Sequence, residues 1–194
     1  MPTLILGLVG KQGCGKGTVA DLLRAEYGAG YYRFSAILGD ILDRLAIEKN
    51  RDNFVQISTV LRQTFGEDVL SYALESHVVR STEELVIIDG IRRPEDIVAL
   101  EPLPQFHLIS VDADSELRFE RMKKRGEKVN ESDMSWEKFL ADEQASTEVT
   151  IPLVMERAKI TLHNNGTREE LVEKTRKMMK EFGFTNHASR LTSN

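Results

Sequence analysis

A glycine-rich segment directly after the first apolar run has the residue types needed to bind phosphate. The apolar run ends at Val9, and the segment after it contains Lys16 and Thr18. Glycines let backbone N–H groups turn toward an anion, and a helix beginning there adds its partial positive charge. Lys16 can reach the β- and γ-phosphates of a nucleotide, and the Thr18 hydroxyl can ligate Mg²⁺. The predicted phosphate site consists of Gly10, Gly13, Cys14, Gly15, Lys16, Gly17 and Thr18.

A second polar motif ends a later apolar run. Residues 85–88 are LVII, and Asp89, Gly90, Arg92 and Arg93 follow. A carboxylate at a strand end can hold Mg²⁺, usually through water, or orient an acceptor molecule. Gly90 allows an acceptor to approach the backbone, and an arginine can clamp phosphate oxygens with its planar fork. We therefore predict that Asp89 is a metal ligand, and that Arg92 or Arg93 faces the site.

A basic helix is the third feature whose residues could take part in chemistry. Residues 115–125 have helical periodicity, and Arg121 and Arg125 lie four positions apart on one face. Arginines placed in this way can neutralise charge on a phosphoryl group in transfer. A solvated basic helix, paired with its own glutamates, is the alternative that the sequence leaves open.

The predicted strands and helices that must position these residues alternate along the chain. Such alternation predicts an α/β fold with a parallel sheet, whose ligands lie at the carboxyl ends of the strands. The glycine segment, Asp89 and residues 164–166 each follow a predicted strand, so we expect them at one edge of the sheet. The predicted strands are 4–9, 31–34, 85–88, 106–111 and 159–162. The predicted helices are 16–27, 36–47, 51–80 with a break near Phe65, 94–100, 115–125, 136–145 with a resumption up to 157 left open, and 167–182.

Two of these motifs resemble those of P-loop kinases. The Lys16-Gly17-Thr18 ending resembles the loop of adenylate kinase and other nucleoside monophosphate kinases, in which glycine also separates lysine from threonine. The segment from Asp89 resembles their Asp-Gly-Phe-Pro-Arg motif, whose arginine grips the acceptor phosphate. By that spacing the match is Arg93, and Arg92 stands where that family has proline. The order of motifs along the whole chain is most similar to the dephospho-CoA-kinase-like branch of P-loop kinases.

The resemblance implies a three-layer P-loop NTPase fold, with a five-stranded parallel sheet flanked by helices. It also implies an ATP-dependent phosphotransferase that uses ATP and Mg²⁺ and a small-molecule, nucleotide-like acceptor. Two alternatives stay open: a (deoxy)nucleoside monophosphate kinase, and an ATP-binding regulatory module without transferase activity. A nucleic-acid-dependent ATPase is a weaker possibility because the chain is acidic.

The resemblance assigns roles to further residues. Lys16, Asp89, Arg92 or Arg93, and Arg125 would act in catalysis. Arg121, Asn165 and Gly166 would lie near the adenine. A proton from a hydroxyl acceptor could go to Asp40 or Asp89. The residues implied on the acceptor side are Arg33, Ser35, Asp40, Arg62 and Gly90.

Composition limits the remaining possibilities. The 194 residues carry a net charge of −5 and one cysteine, which favours a reducing compartment and disfavours broad nucleic-acid binding. We expect a cytoplasmic protein without membrane or nucleic-acid partners, as a monomer or small homo-oligomer. We expect one kinase domain over residues 1–182, with an acceptor-binding insertion at about 35–80, a lid at about 121–148 and a flexible tail at 183–194.

Overall fold

Two buried apolar runs form the centre of a parallel sheet. A computed structural model describes residues 1–125, 134–144 and 148–185, with the side chain of Arg125 outside the described part. Strand β1 (Leu4–Val9) is buried along its whole length, and β3 (Leu85–Asp89) is buried up to its last residue. The two strands are parallel, with Leu4 opposite Leu85. Strands buried on both faces need nearly continuous apolar sequence, which both runs provide.

Three further strands complete the sheet on either side of this pair. These are β2 (Gly30–Arg33), β4 (Phe106–Asp112) and β5 (Ile160–His163), and the spatial order is β2-β3-β1-β4-β5. Every pairing in the sheet is parallel, so the predicted five-stranded parallel sheet is confirmed. Strands β2 and β3 lie on one side of β1, and the later strands β4 and β5 lie on the other side. The carboxyl end of β1 is therefore the switch point at which such sheets bind ligands.

Helices cover both faces of the sheet and complete the three layers. One face packs on α1 (Lys16–Tyr27) and α8 (Arg168–Glu181), through apolar residues that include Val19 and Leu171. The opposite core contains Phe34, Leu74 and Val154. The elements on that side are α2 (Phe34–Arg44), α3 (Arg51–Phe65), α4 (Val69–Val78), a 3₁₀ turn at Pro94–Ile97 and α7 (Ile151–Met155). Helices α5 (Ser115–Arg125) and α6 (Trp136–Glu143) lie between β4 and α7 in the chain.

Local signals account for several helix ends. The predicted helix 51–80 breaks at Gly66, which takes a φ of 108° that favours glycine. Helix α3 begins where the Asn50 side chain accepts the N–H of Asn53, and α8 begins with a reciprocal capping box between Thr167 and Glu170. The helix predicted from residue 136 to about 145 is present as α6, and its resumption toward 157 is present as the separate helix α7.

Some predictions fall outside the described ranges. Residues 126–133, 145–147 and 186–194 lie outside them, and with them part of the predicted lid at 121–148 and most of the predicted tail. Among residues 1–125, 134–144 and 148–185, no helix is long and apolar enough to cross a membrane.

Candidate functional site

The loop between β1 and α1 has a backbone that only glycine fits. Gly13 has a φ of 76° and Gly15 a φ of 107°, both in the region that L side chains rarely adopt. A Cβ at Gly13 would lie 2.6 Å from the carbonyl oxygen of Arg118, and one at Gly15 would lie 2.4 Å from Nδ2 of Asn164. Backbone strain and close packing therefore both require glycine at these positions.

The start of α1 is suited to an anion. Gly15 is its N-cap and provides no side-chain cap, and the first turn of α1 contains no acidic residue. The Lys16 ammonium donates to the carbonyl oxygens of Gly10 and Lys11, the latter at 3.1 Å. Three features that attract an anion therefore lie together here: the first N–H groups of the helix, its partial positive charge and the Lys16 ammonium.

Gly17 differs from the other loop glycines. It lies in the first turn of α1 without a positive φ, and a Cβ there would meet no protein atom within 4 Å. Neither the backbone nor packing requires glycine at this position. Thr18, the predicted metal ligand, follows it in the same turn and is partly exposed.

Residues after β5 hold the loop from the other side. Asn164 is buried and donates from Nδ2 to the Cys14 carbonyl oxygen at 2.8 Å. Arg121 donates to the carbonyl oxygens of Asn164 and Gly166, at 2.9 and 3.1 Å. Asn165 Oδ1 accepts the N–H of Asp114 at 2.9 Å. The structure thus brings the predicted adenine-side residues Arg121, Asn165 and Gly166 together beside the loop, and adds Asn164, whose burial the sequence does not reveal.

Asp89 is held by two donors at the end of β3. Its Oδ2 accepts the hydroxyl of Tyr31 at 2.6 Å, and its Oδ1 accepts the N–H of Gly90 at 2.8 Å. Burial raises the pKa of Tyr31 above its ordinary value, and the hydrogen bond to the Asp89 carboxylate acts in the same direction. Tyr31 therefore remains a neutral donor at any physiological pH. Sequence analysis missed this contact, because it depends on how β2 pairs with β3.

The turn after Asp89 is organised by a buried carboxylate. Asp96 Oδ2 accepts the N–H groups of Arg92 and Arg93 at 2.8 and 3.0 Å, and Asp96 Oδ1 accepts from the Arg62 guanidinium at 2.6 Å. The Arg62 and Asp96 side chains are 7% and 3% exposed. Arg62 therefore forms an ion pair that supports the turn, and it also lies at the predicted acceptor side.

A cleft of about 560 Å³, which we name the arginine cleft, opens beside the loop. This volume lies within the range of about 300–1,000 Å³ that small-molecule sites occupy. Its lining combines guanidinium groups with apolar side chains and hydroxyls. The lining residues are Gln12, Phe34, Ser35, Leu38, Arg51, Phe54, Val55, Ser58, Thr59, Arg62, Leu70, Gly90, Arg92, Arg93, Asp96 and Glu148.

The arginine cleft includes some of the predicted acceptor residues and excludes others. Ser35, Arg62 and Gly90 line it, and both Arg92 and Arg93 do so, although the sequence left open which of the two faces the site. Arg33 and Asp40 are not part of its lining. Arg33 instead lies with its guanidinium 5.4 Å from the centre of the Tyr31 ring, and Asp40 is exposed on α2.

Besides Asp96, sequence analysis missed two charged residues of the arginine cleft. Arg51 begins α3, and Glu148 is buried and ion-paired with Arg92. Burial lowers the pKa of Arg92, while the carboxylates of Asp89 and Asp96 act in the opposite direction. Arg51 and Glu148 lie outside any recognisable motif, so only the packing of α3 and of the segment before α7 reveals them.

Helix α6 contacts the phosphate loop through one glutamate. Glu143 pairs with Lys11 at 3.3 Å and with the buried Arg118, which also donates to the Gln12 carbonyl oxygen at 3.4 Å. The Arg118 guanidinium lies 5.3 Å from the centre of the Phe139 ring. Arg118, part of the predicted basic helix, is therefore structural, and Lys11 links the loop to α6. The Arg125 side chain, with its predicted catalytic role, lies outside the described part.

The donor set at the loop fits Mg²⁺ in a nucleotide complex. Mg²⁺ in such sites takes one or two protein oxygens and completes its shell with water and phosphate oxygens. Thr18 supplies a hydroxyl. Each Asp89 oxygen accepts one hydrogen bond and retains a second lone pair for a metal-bound water. In the described ranges, no cluster of three or more His, Cys, Asp or Glu suggests a different metal site.

Comparison with known proteins identifies the family. A family profile described as "AAA domain" matches residues 6–146. The chain belongs to this family. AAA-domain residues 6–146 include the glycine loop, Asp89, most of the arginine cleft and strands β2 to β4 with most of β1. Strand β5 and residues 164–166 lie beyond the match.

Relatives of this AAA-domain chain include proteins named UPF0200 protein. The one from Hyperthermus butylicus is 24% identical over 176 residues, covering 91% of this chain and 93% of the relative. The one from Sulfurisphaera tokodaii is 28% identical over 176 residues, covering 91% of this chain and 96% of the relative.

Solved structures show the same architecture. Shikimate kinase from Bacteroides thetaiotaomicron has a TM-score of 0.59 at 12% identity, covering 93% of this chain and 99% of the kinase. TT1252 from Thermus thermophilus has a TM-score of 0.57 at 22% identity, covering 93% and 98%. At these identities the comparison establishes the fold alone. The kinase-like P-loop fold predicted from the sequence is confirmed.

Proposed function

We propose that this protein is an ATP-dependent phosphotransferase, which transfers the γ-phosphoryl group to an anionic, nucleotide-like acceptor in the arginine cleft. The single observation that carries the proposal is the position of that cleft. Its lining runs from Gln12 in the phosphate loop to Arg92 and Arg93 after β3. A phosphate held by the loop would face an acceptor held by the arginines, so positioning would bring the reacting atoms together.

The loop side supports ATP as the donor. The N–H groups at the start of α1 and the Lys16 ammonium would hold the phosphates, and Arg121 with Asn165 and Gly166 would lie toward the adenine. Mg²⁺ held by Thr18 and Asp89 would neutralise charge on the phosphates. Because phosphoryl transfer depends mainly on positioning and electrostatics, these residues suffice on the donor side.

The acceptor side supports an anionic compound with an apolar part. Arg51, Arg92 and Arg93 provide guanidinium groups, which favour phosphate or carboxylate oxygens. Phe34 and Phe54 line the same cleft and suit a ring. This combination favours a nucleotide-like acceptor of the dephospho-CoA kinase type, with Ser35, Arg62 and Gly90 in the walls.

The chemistry needs a base only for a hydroxyl acceptor. In either case the bond between the γ-phosphorus and the bridging oxygen of ADP breaks, and a bond to the acceptor oxygen forms. A hydroxyl acceptor would release its proton to Asp89, which directly precedes Gly90 in the wall of the cleft. Neither Asp89 nor Asp40 is part of the lining, but Asp89 adjoins the lining residue Gly90, whereas Asp40 is exposed on α2 and is the weaker choice. A phosphate acceptor would need no base.

An acceptor screen tests the proposal. Purified protein is incubated with MgATP and a panel of dephospho-CoA, ribo- and deoxyribonucleoside monophosphates and shikimate, and ADP release and phosphorylated product are measured. Lys16→Met should lower turnover at least about 100-fold, because it removes a charge that stabilises the transition state. Arg93→Gln should raise the KM for the acceptor. Arg157→Gln is the matched control, since Arg157 forms an exposed ion pair with Glu101.

The outcomes of the screen separate the alternatives. Turnover only on nucleoside monophosphates would replace the dephospho-CoA kinase-like specificity by a nucleoside monophosphate kinase. ATP binding without ADP release on any acceptor would favour a regulatory module. ADP release that rises several-fold with DNA or RNA, and no phosphorylated product, would contradict phosphotransfer to a small molecule.

A further inference from the structure

Tyr31 is the strongest polar partner of Asp89 that the proposed chemistry does not use. Its hydroxyl donates to Asp89 Oδ2 at 2.6 Å, the length of a strong charge-assisted bond. The other carboxylate oxygen is held by the N–H of Gly90. With a donor on each oxygen, the Asp89 carboxylate has one fixed orientation.

The sheet places Tyr31 for this contact. Strands β2 and β3 are parallel, with Tyr31 opposite Ile87 and Arg33 opposite Asp89. Because side chains alternate along a strand, Tyr31 and Asp89 project from the same face of the sheet. That face is the one covered by α1, the helix that begins at the phosphate loop.

The Tyr31 ring is itself held on this face. The guanidinium groups of Arg24 and Arg33 lie 5.2 and 5.4 Å from its centre. Arg24 belongs to α1, so the ring connects the phosphate-loop helix to the carboxylate at the end of β3. Cation–π contacts of this kind favour one ring position.

We propose that Tyr31 is a positioning residue for the metal, because its hydrogen bond and its packing against Arg24 orient the Asp89 carboxylate toward the Mg²⁺ of the nucleotide complex. The inference rests on the proposed function, since it requires Asp89 to hold Mg²⁺. Partners that orient a metal-binding side chain typically change metal affinity when they are removed.

The test is nucleotide binding as a function of Mg²⁺ concentration. Calorimetry measures binding of the non-hydrolysable analogue adenylyl imidodiphosphate at increasing MgCl₂ in the full-length protein. Tyr31→Phe keeps the ring and removes only the hydroxyl. We expect it to raise the Mg²⁺ concentration at half-maximal binding roughly tenfold. Asp89→Asn should raise it as well, and the double variant should resemble Asp89→Asn alone, because Tyr31 acts through Asp89.

Tyr32→Phe is the matched control. Tyr32 is the next residue of β2, pairs with Ile88 and packs against the opposite core, so it loses the same hydroxyl away from Asp89. We expect its Mg²⁺ dependence to match that of the wild type. Urea unfolding midpoints of all variants establish that each is folded. If Tyr31 had only a structural role, Tyr31→Phe would lower the urea midpoint without changing the Mg²⁺ dependence of nucleotide binding.

The outcomes distinguish this inference from the proposed function. If Asp89→Asn shifts the Mg²⁺ dependence and Tyr31→Phe does not, the role of Tyr31 is refuted and the proposed function stands. If Tyr31→Phe and Asp89→Asn produce independent, additive shifts, Tyr31 does not act through Asp89, and the inference is also refuted. If the wild type fails to bind the analogue at any Mg²⁺ concentration, the proposed function itself fails.

Discussion

Replacing Asp96 by asparagine should destabilise the protein strongly, because this carboxylate is buried and has three donors. Oδ1 accepts from the Arg62 guanidinium at 2.6 Å, and Oδ2 accepts the N–H groups of Arg92 and Arg93. Asparagine retains one acceptor oxygen. It must therefore point its amide N–H₂ group at Arg62 or at the two backbone donors, and it leaves the Arg62 charge without a buried counter-charge.

The magnitude follows from the burial of the pair. The Arg62 and Asp96 side chains are 7% and 3% exposed, so water cannot replace the lost partner. Breaking such a pair costs about 3–5 kcal/mol. With a urea m-value of about 1–3 kcal/mol/M, the midpoint should fall by roughly 1–5 M. Urea unfolding followed by far-ultraviolet circular dichroism measures this shift.

An exposed ion pair provides the matched control. Asp43 pairs with Lys49 at 2.8 Å, and their side chains are 55% and 49% exposed. Asp43→Asn should therefore change stability by at most about 1 kcal/mol. If Asp96→Asn shifts the midpoint no more than Asp43→Asn, the argument from burial is refuted, and the Arg62 guanidinium does not depend on Asp96.

Three other substitutions test the loop and the sheet. Gly17→Ala should keep the unfolding midpoint or raise it, with a gain of at most about 1 kcal/mol, because a Cβ there meets no protein atom within 4 Å and alanine favours helix. Gly13→Ala should lower the midpoint, because its Cβ would lie 2.6 Å from the Arg118 carbonyl oxygen and its φ is 76°. His107→Gln should reduce the loss of stability between pH 7 and pH 5, which urea midpoints at both pH values measure.

The sign of the His107 effect follows from proton binding. Burial lowers the pKa of His107 in the folded protein, and the Lys159 charge lowers it further. The unfolded chain therefore binds a proton near its ordinary pKa of about 6.5, while the folded protein binds it only at a lower pH, so stability falls as the pH falls through that value. Equal pH dependence in wild type and His107→Gln would contradict this. For the loop, equal midpoints of Gly13→Ala and Gly17→Ala would contradict the packing argument.

Local patterns were sufficient for most of the elements. The apolar run at residues 4–9, the helical spacing at 16–27 and the capping pair Thr167 and Glu170 all act within a few residues, so the sequence alone predicts them. The break of the long helix at Gly66 is local in the same sense, because glycine adopts a φ that other residues avoid. Some helix bounds were predicted less well: α2 begins at Phe34, which the sequence assigns to the second strand, and the helix expected at 94–100 is a 3₁₀ turn at Pro94–Ile97.

The sequence by itself determined the parallel α/β fold and the glycine-rich loop between β1 and α1, because strand and helix periodicity and the glycine spacing are local properties of the chain. Only the tertiary structure decided which distant residues meet. Tyr31 reaches Asp89 across 58 positions, and Arg62 reaches Asp96 across 34. Both contacts depend on the assembly of whole elements, because the order β2-β3-β1-β4-β5 places β2 beside β3, and α3 places Arg62 against Asp96 in the turn that follows β3. The residues that support the site could therefore be identified only once the sheet and its helices were assembled.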